Sequence, residues 1–263
     1  MKRILSLFLV ILILRIIDSF ILRTDQGIIG ELFVHKLAGV ALLLIVARDI
    51  FNAKHRLHGV LSGLAIAGIA YLTAYTVEIA IAYMQGGKPS LQFYVTSYQI
   101  MGNTLLNSGV AFVIICIVGN IINVVMEDGI FRGLFIRLGE RQWSFARANL
   151  FAALLFGIWH AIMPIRNYID GDQSLTGATI SALIILFSSF LFGVQLGWQY
   201  RISGSLWSGM TVHFINNTSA NLLHVVVNGM EGSPTMRIAI AQTIMFVLVV
   251  ILYMRYRSAC QRL

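Results

Sequence analysis

The chain has 263 residues, 58% of them hydrophobic and only 11% charged, and its net charge is +8. Soluble domains carry roughly 25% charged residues, so this composition excludes an ordinary soluble enzyme and points to a polytopic membrane protein. Many basic residues sit at the ends of apolar stretches, and no basic domain with interleaved aromatics accompanies them, so membrane topology explains the charge better than a nucleic-acid partner does.

A bilayer core of about 30 Å asks for about 20 apolar residues per helix. Lys2 and Arg3 before Ile4 to Leu14 look like the start of a signal peptide. No small-residue cleavage site follows, and Arg15 and Asp18 come next, so the stretch 4–22 is expected to remain as a first span. Further spans are predicted at 28–47, 58–84, 104–139, 144–163, 176–198, 203–228 and 235–255. A single helix over 104–139 would be roughly 54 Å long, so it must tilt, protrude or break. Counting it once gives about eight crossings. Pro89, Pro164 and Pro234 fall at span ends or between spans, and the segments 85–91, 164–175 and 229–234 carry the Gly, Asp, Ser and Asn of turns. Cys116 lies in an apolar helix and Cys260 in the basic tail, which gives no disulfide framework.

The expected architecture is therefore all-α: a polytopic membrane helical bundle, one transmembrane domain over 1–263, with a core at about 104–228 that carries the ionisable motifs. An even number of crossings puts both termini on one side, with Lys2, Arg3, Arg48, Lys54, Arg56, Arg137, Arg141, Arg147, Arg201, Arg255, Arg257 and Arg262. Arg23, Lys88, Arg166 and Arg237 fall on the other, so both termini are expected in the cytoplasm.

Ionisable residues at membrane depth are costly and mark functional sites. The chain places Glu127, Asp128 and Arg132 together in apolar sequence, then Phe156 and His160, then His213 and Asn217. Glu127 lies about 18 Å from the cytoplasmic end of its helix. His160 lies about 20 Å up its helix, and His213 and Asn217 about 15 and 21 Å up theirs. The three helices thus bring their polar groups to similar depth. Asp128 and Arg132 are four apart, the spacing of an ion pair, as are His213 and Asn217, which share a face. Asn120, Asn123 and Glu127 form a polar stripe, and Phe156 stands one turn before His160 as a wall. Taken singly, each has a bland reading: an intramembrane His or Asn is most often an interhelical hydrogen-bonding group, and Asp128–Arg132 a structural ion pair.

Taken together, Glu127-Asp128-x-x-x-Arg132, Phe156-x-x-x-His160 and His213-x-x-x-Asn217 resemble, in order and spacing, the EExxxR, FxxxH and HxxxN pattern of the CPBP family. This family, also called ABI, comprises CAAX-processing and bacteriocin-processing intramembrane proteases. The resemblance covers about residues 120 to 220, and Asp128 departs from the second glutamate of the pattern. It implies a glutamate-dependent endopeptidase acting on a membrane-associated or lipid-anchored peptide; separately, the short loops and small size suggest a prokaryotic plasma membrane.

The residues support the same chemistry. Glu127 is the candidate general base toward a water that His160 holds and polarises. His213 and Asn217 are candidate donors to the oxyanion, a role often worth about 3–4 kcal/mol per donor. Arg132 would hold the carboxylates in place. No cofactor is favoured. A zinc ion on Glu127, His160 and His213 is the metal-dependent alternative, although no HExxH motif is present. Two further readings use the same residues: a non-catalytic immunity or scaffolding protein, and a transporter with Glu127 and His160 as a proton relay, for which paired broken helices are missing. Glu31, His35, Lys36 and Glu78 form a second expected polar cluster, and Gly193-x-x-x-Gly197 a close helix contact.

Overall fold

Inside a bilayer no water is available to pair with backbone groups, so apolar sequence must satisfy them within its own segment, as helix. The computed structural model describes residues 1–24, 34–51, 56–96 and 109–262 and is an all-α membrane bundle with one small sheet. Its helices are α1 (Lys2–Ile17), α2 (Val34–Ala47), α3 (Arg56–Met84), α4 (Val110–Asp128), α5 (Ile136–Glu140), α6 (Phe145–His160), α7 (Ile162–Ile169), α8 (Leu175–Ser203), α9 (Leu206–Leu222) and α10 (Pro234–Cys260). Among the described residues, six helical stretches are long and apolar enough to cross a membrane: Lys2–Leu22, Arg56–Met84, Val110–Glu140, Phe145–Ile169, Leu175–Ser203 and Pro234–Cys260. The other two expected spans fall on shorter helices: α2, an apolar helix of 14 residues, and α9, of 17 residues.

Two expectations are corrected and a third is made specific. The predicted span 203–228 is helical only to Leu222. Leu223–Val227 continues as strand β2, which pairs antiparallel with β1 (Pro89–Phe93) and with β3 (Met230–Glu231). The run Val225-Val226-Val227 is β-branched, stiff at χ1 and suited to a pleated surface. The predicted loop 164–175 begins as helix: Pro164 sits in the first turn of α7, where its missing N–H costs nothing. The long stretch 104–139, described from 109 onward, does not run as one regular helix. It widens into π-helical geometry at Gly129–Phe135, between α4 and α5.

The turn from α8 to α9 is tight because Gly204 adopts φ +64, beyond which Ser205 accepts from the Trp207 amide at 3.3 Å. Close packing sets the rest. Gly193 lies against Ala153 and Gly197 against Asn149, so α8 meets α6 along the expected small-residue face. Gly63 of α3 faces the backbone carbonyl of Ser208, which draws α3 onto α9. An aromatic centre of Phe131, Phe135, Phe156 and Trp159 is buried where the π-helical stretch meets α6.

Candidate active site

The site grows from the end of α4. Asn120, Asn123, Glu127 and Asp128 are all buried on this helix, and the register loosens one residue later at Gly129. π-Helical turns of this kind occur often at functional sites. Asp128 Oδ1 stands 3.2 Å from Arg132 Nη1, and the Arg132 guanidinium lies 3.9 Å above the Phe156 ring. The arginine is thus held by a carboxylate on one side and an aromatic face on the other.

The structure brings Glu127, His160 and His213 together from three helices. His160 Nε2 is 3.9 Å from Glu127 Oε1, and His213 Nε2 is 3.7 Å from Glu127 Oε2. His213 Nδ1 is 3.3 Å from Asp128 Oδ2, so this ring lies between both carboxylates. Phe156 and Phe192 present edges to it, with ring centroids 6.2 and 5.3 Å away. His160 Nδ1 is 2.9 Å from the Phe156 carbonyl oxygen. A carbonyl can only accept, so Nδ1 carries a proton, and in the neutral ring Nε2 faces Glu127 with its lone pair. The same logic gives His213 a proton on Nδ1, toward Asp128. The His160 side chain is 27% exposed, against 5% for Glu127 and 4% for His213, so the site opens on the His160 side.

Asn217 stands one turn beyond His213 on α9, half-buried, and its Oδ1 accepts from Asn216 Nδ2 at 3.2 Å. Asn216 in turn accepts from Tyr71 Oη at 2.9 Å, which ties α9 to α3. The second expected polar cluster divides: His35 pairs with Asp18, whereas Glu78 accepts from Arg237 Nη1 at 2.8 Å and from the Ser233 amide. Glu31 lies outside the described residues. Trp159 has no role in the sequence reading, yet its indole N–H donates to Glu127 Oε1 at 3.1 Å. Its position directly before His160 is the one local signal of this. Among the described residues, no group of three or more His, Cys, Asp or Glu side chains is placed to hold a metal ion.

A helical membrane protein with a glutamate and two histidines meeting inside its bundle is the class that fold and site define. Residues 109–219 match the family described as Type II CAAX prenyl endopeptidase Rce1-like. The matched stretch carries all three motifs and bears out the resemblance to the CPBP family of CAAX proteases. No curated protein and no solved structure matches the chain.

Proposed function

We propose that this integral membrane protein is a glutamate-dependent intramembrane endopeptidase whose substrate is a membrane-associated peptide, lipid-anchored as the family's description suggests. The observation that carries the reading is the spacing around Glu127. Its Oε2 is buried with no hydrogen-bond partner among the described residues, and two imidazole nitrogens stand 3.7 and 3.9 Å from its oxygens. Those gaps are too long for direct hydrogen bonds and suit a bridging water.

In this mechanism the water gives one hydrogen bond to Glu127 and the other to His160 Nε2. Glu127 takes the proton as the water oxygen bonds to the scissile carbonyl carbon. The resulting oxyanion accepts from Asn217 Nδ2 and from His213 Nε2. Because His213 Nδ1–H already faces Asp128, donation from Nε2 needs a proton on both ring nitrogens. Arg132 balances Asp128. Collapse of the intermediate breaks the C–N bond, and the proton held by Glu127 passes to the leaving nitrogen. We further infer eight crossings, with α2 and α9 as the short ones, both termini in the cytoplasm, and a prokaryotic plasma membrane as the location.

The test compares protein termini in membranes of cells that express wild type or Glu127→Gln at matched levels. New termini in the wild type that vanish in the variant are expected, and they name the substrate. Identical termini, with the cellular function intact in the variant, would move the protein to an immunity or scaffolding role. The cleavage should also persist after membranes are washed with a zinc chelator; its loss there, restored by added zinc, would establish the metal-dependent alternative.

A further inference from the structure

We propose that Trp159 is a positioning residue for Glu127, and that Arg15 and the Asp18–His35 pair hold it in place. The inference rests on Glu127 being the general base. A buried indole N–H needs a partner, and any carbonyl would satisfy a purely structural tryptophan. Trp159, only 1% exposed, gives its N–H to Glu127 Oε1, which fixes that oxygen and turns Oε2 toward His213.

The ring itself is gripped from two other helices. The Arg15 guanidinium of α1 lies 4.5 Å from its centroid. His35 of α2 meets it edge-on at 5.6 Å. His35 cannot swing away, because both its backbone N–H and Nδ1 donate to Asp18 Oδ2, at 2.8 and 2.7 Å. Phe131 closes a further side at 6.0 Å. Every member is buried. The result is a continuous line of contacts from Asp18 through His35 and Trp159 to the carboxylate of Glu127. Positioning of this kind matters because a shift of about 1 Å at a reacting group can cost about a hundredfold in rate. Arg15, Asp18 and His35 all precede the matched stretch 109–219, so the first two helices supply part of the site's supporting shell.

Two measurements on the full chain test this. The protein labelled with 5-fluorotryptophan carries four reporters. Trp159→Phe identifies the resonance of Trp159, and that resonance should move in both Glu127→Gln and His35→Ala. A resonance unmoved in Glu127→Gln would overturn the hydrogen bond, and one unmoved in His35→Ala would overturn the role of the first helices. This readout needs no substrate. With a peptide taken from the Glu127-dependent termini, Trp159→Phe keeps the ring and loses the N–H. Its kcat should fall roughly tenfold to a hundredfold with KM unchanged. His35→Ala should lower kcat alone and add little in the Trp159→Phe background. Wild-type turnover by Trp159→Phe, with Glu127→Gln inactive, would sink the positioning role and leave the base assignment standing. Wild-type turnover by Glu127→Gln would sink the base assignment itself.

Discussion

At the scale of single residues, Asp128 is the position where this chain departs from the family pattern, and its surroundings say what a carboxylate does there. It is 1% exposed and touches two groups, Arg132 Nη1 at 3.2 Å and His213 Nδ1 at 3.3 Å. Removing one partner of a buried ion pair leaves the other charged and unmatched, at a cost of about 3–5 kcal/mol. Asp128→Ala should therefore lose about that much stability in detergent, read from the unfolding midpoint. Asp128→Glu restores the family's residue and keeps the charge, but inserts a methylene into a filled space, for about 1–3 kcal/mol. The order wild type, Glu, Ala is the expected outcome. An alanine variant as stable as wild type would show that the pair contributes nothing. The shorter Asp side chain meets both partners here, Arg132 and His213.

At the scale of elements, legibility followed the range of the interaction. His213 and Asn217, or Asp128 and Arg132, share a face because they are four apart on one helix, so sequence spacing alone displayed them. Trp159 against Arg15 and His35 joins three helices, and no local pattern encodes that contact. The strand over 223–227 is not legible in the sequence because Leu and Val are equally apolar in helix or strand, and a short apolar run is ambiguous by periodicity. The length of 104–139 implied a break, whereas its location at Gly129–Phe135 depends on packing against Leu43 and Ile50, which approach Gly129 and Gly133. Packing also yields a prediction. A Cβ on Gly157 would stand 2.6 Å from the backbone carbonyl oxygen of Leu186, and a carbonyl cannot rotate aside. Gly157→Ala must push α6 from α8, three residues before His160. It should cost about 1–3 kcal/mol in unfolding measurements and lower activity with it. Gly68→Ala is the control, since a Cβ there meets nothing within 4 Å, and it should be neutral or slightly stabilising.

At the scale of the whole molecule, polar contacts tie the loops into two sets. On one face the Met1 amine donates to Gln142 Oε1 at 3.1 Å, Arg137 pairs with Asp49 at 2.7 Å, and Arg201 pairs with Glu140 at 3.1 Å. On the other, Arg23 pairs with Asp170 at 2.7 Å and the Lys88 amide donates to Asn228. Each of these pairs joins segments that an eight-crossing path puts on the same side, and the first face holds most of the lysines and arginines. The positive-inside rule predicts that this face is cytoplasmic. The two native cysteines test this without any engineering. Cys260 is exposed near the end of α10, and Cys116 is buried at 0%. A membrane-impermeant maleimide applied to intact cells should leave the protein unmodified, and the same reagent on opened membranes should add a single label, at Cys260. Labelling of Cys260 in intact cells would place the C-terminus outside. Either the number of crossings would then be odd, or the basic face would point away from the cytoplasm. In the second case the opening beside His160 would lie nearer the cytoplasmic leaflet, and the substrate would have to reach the site from that side.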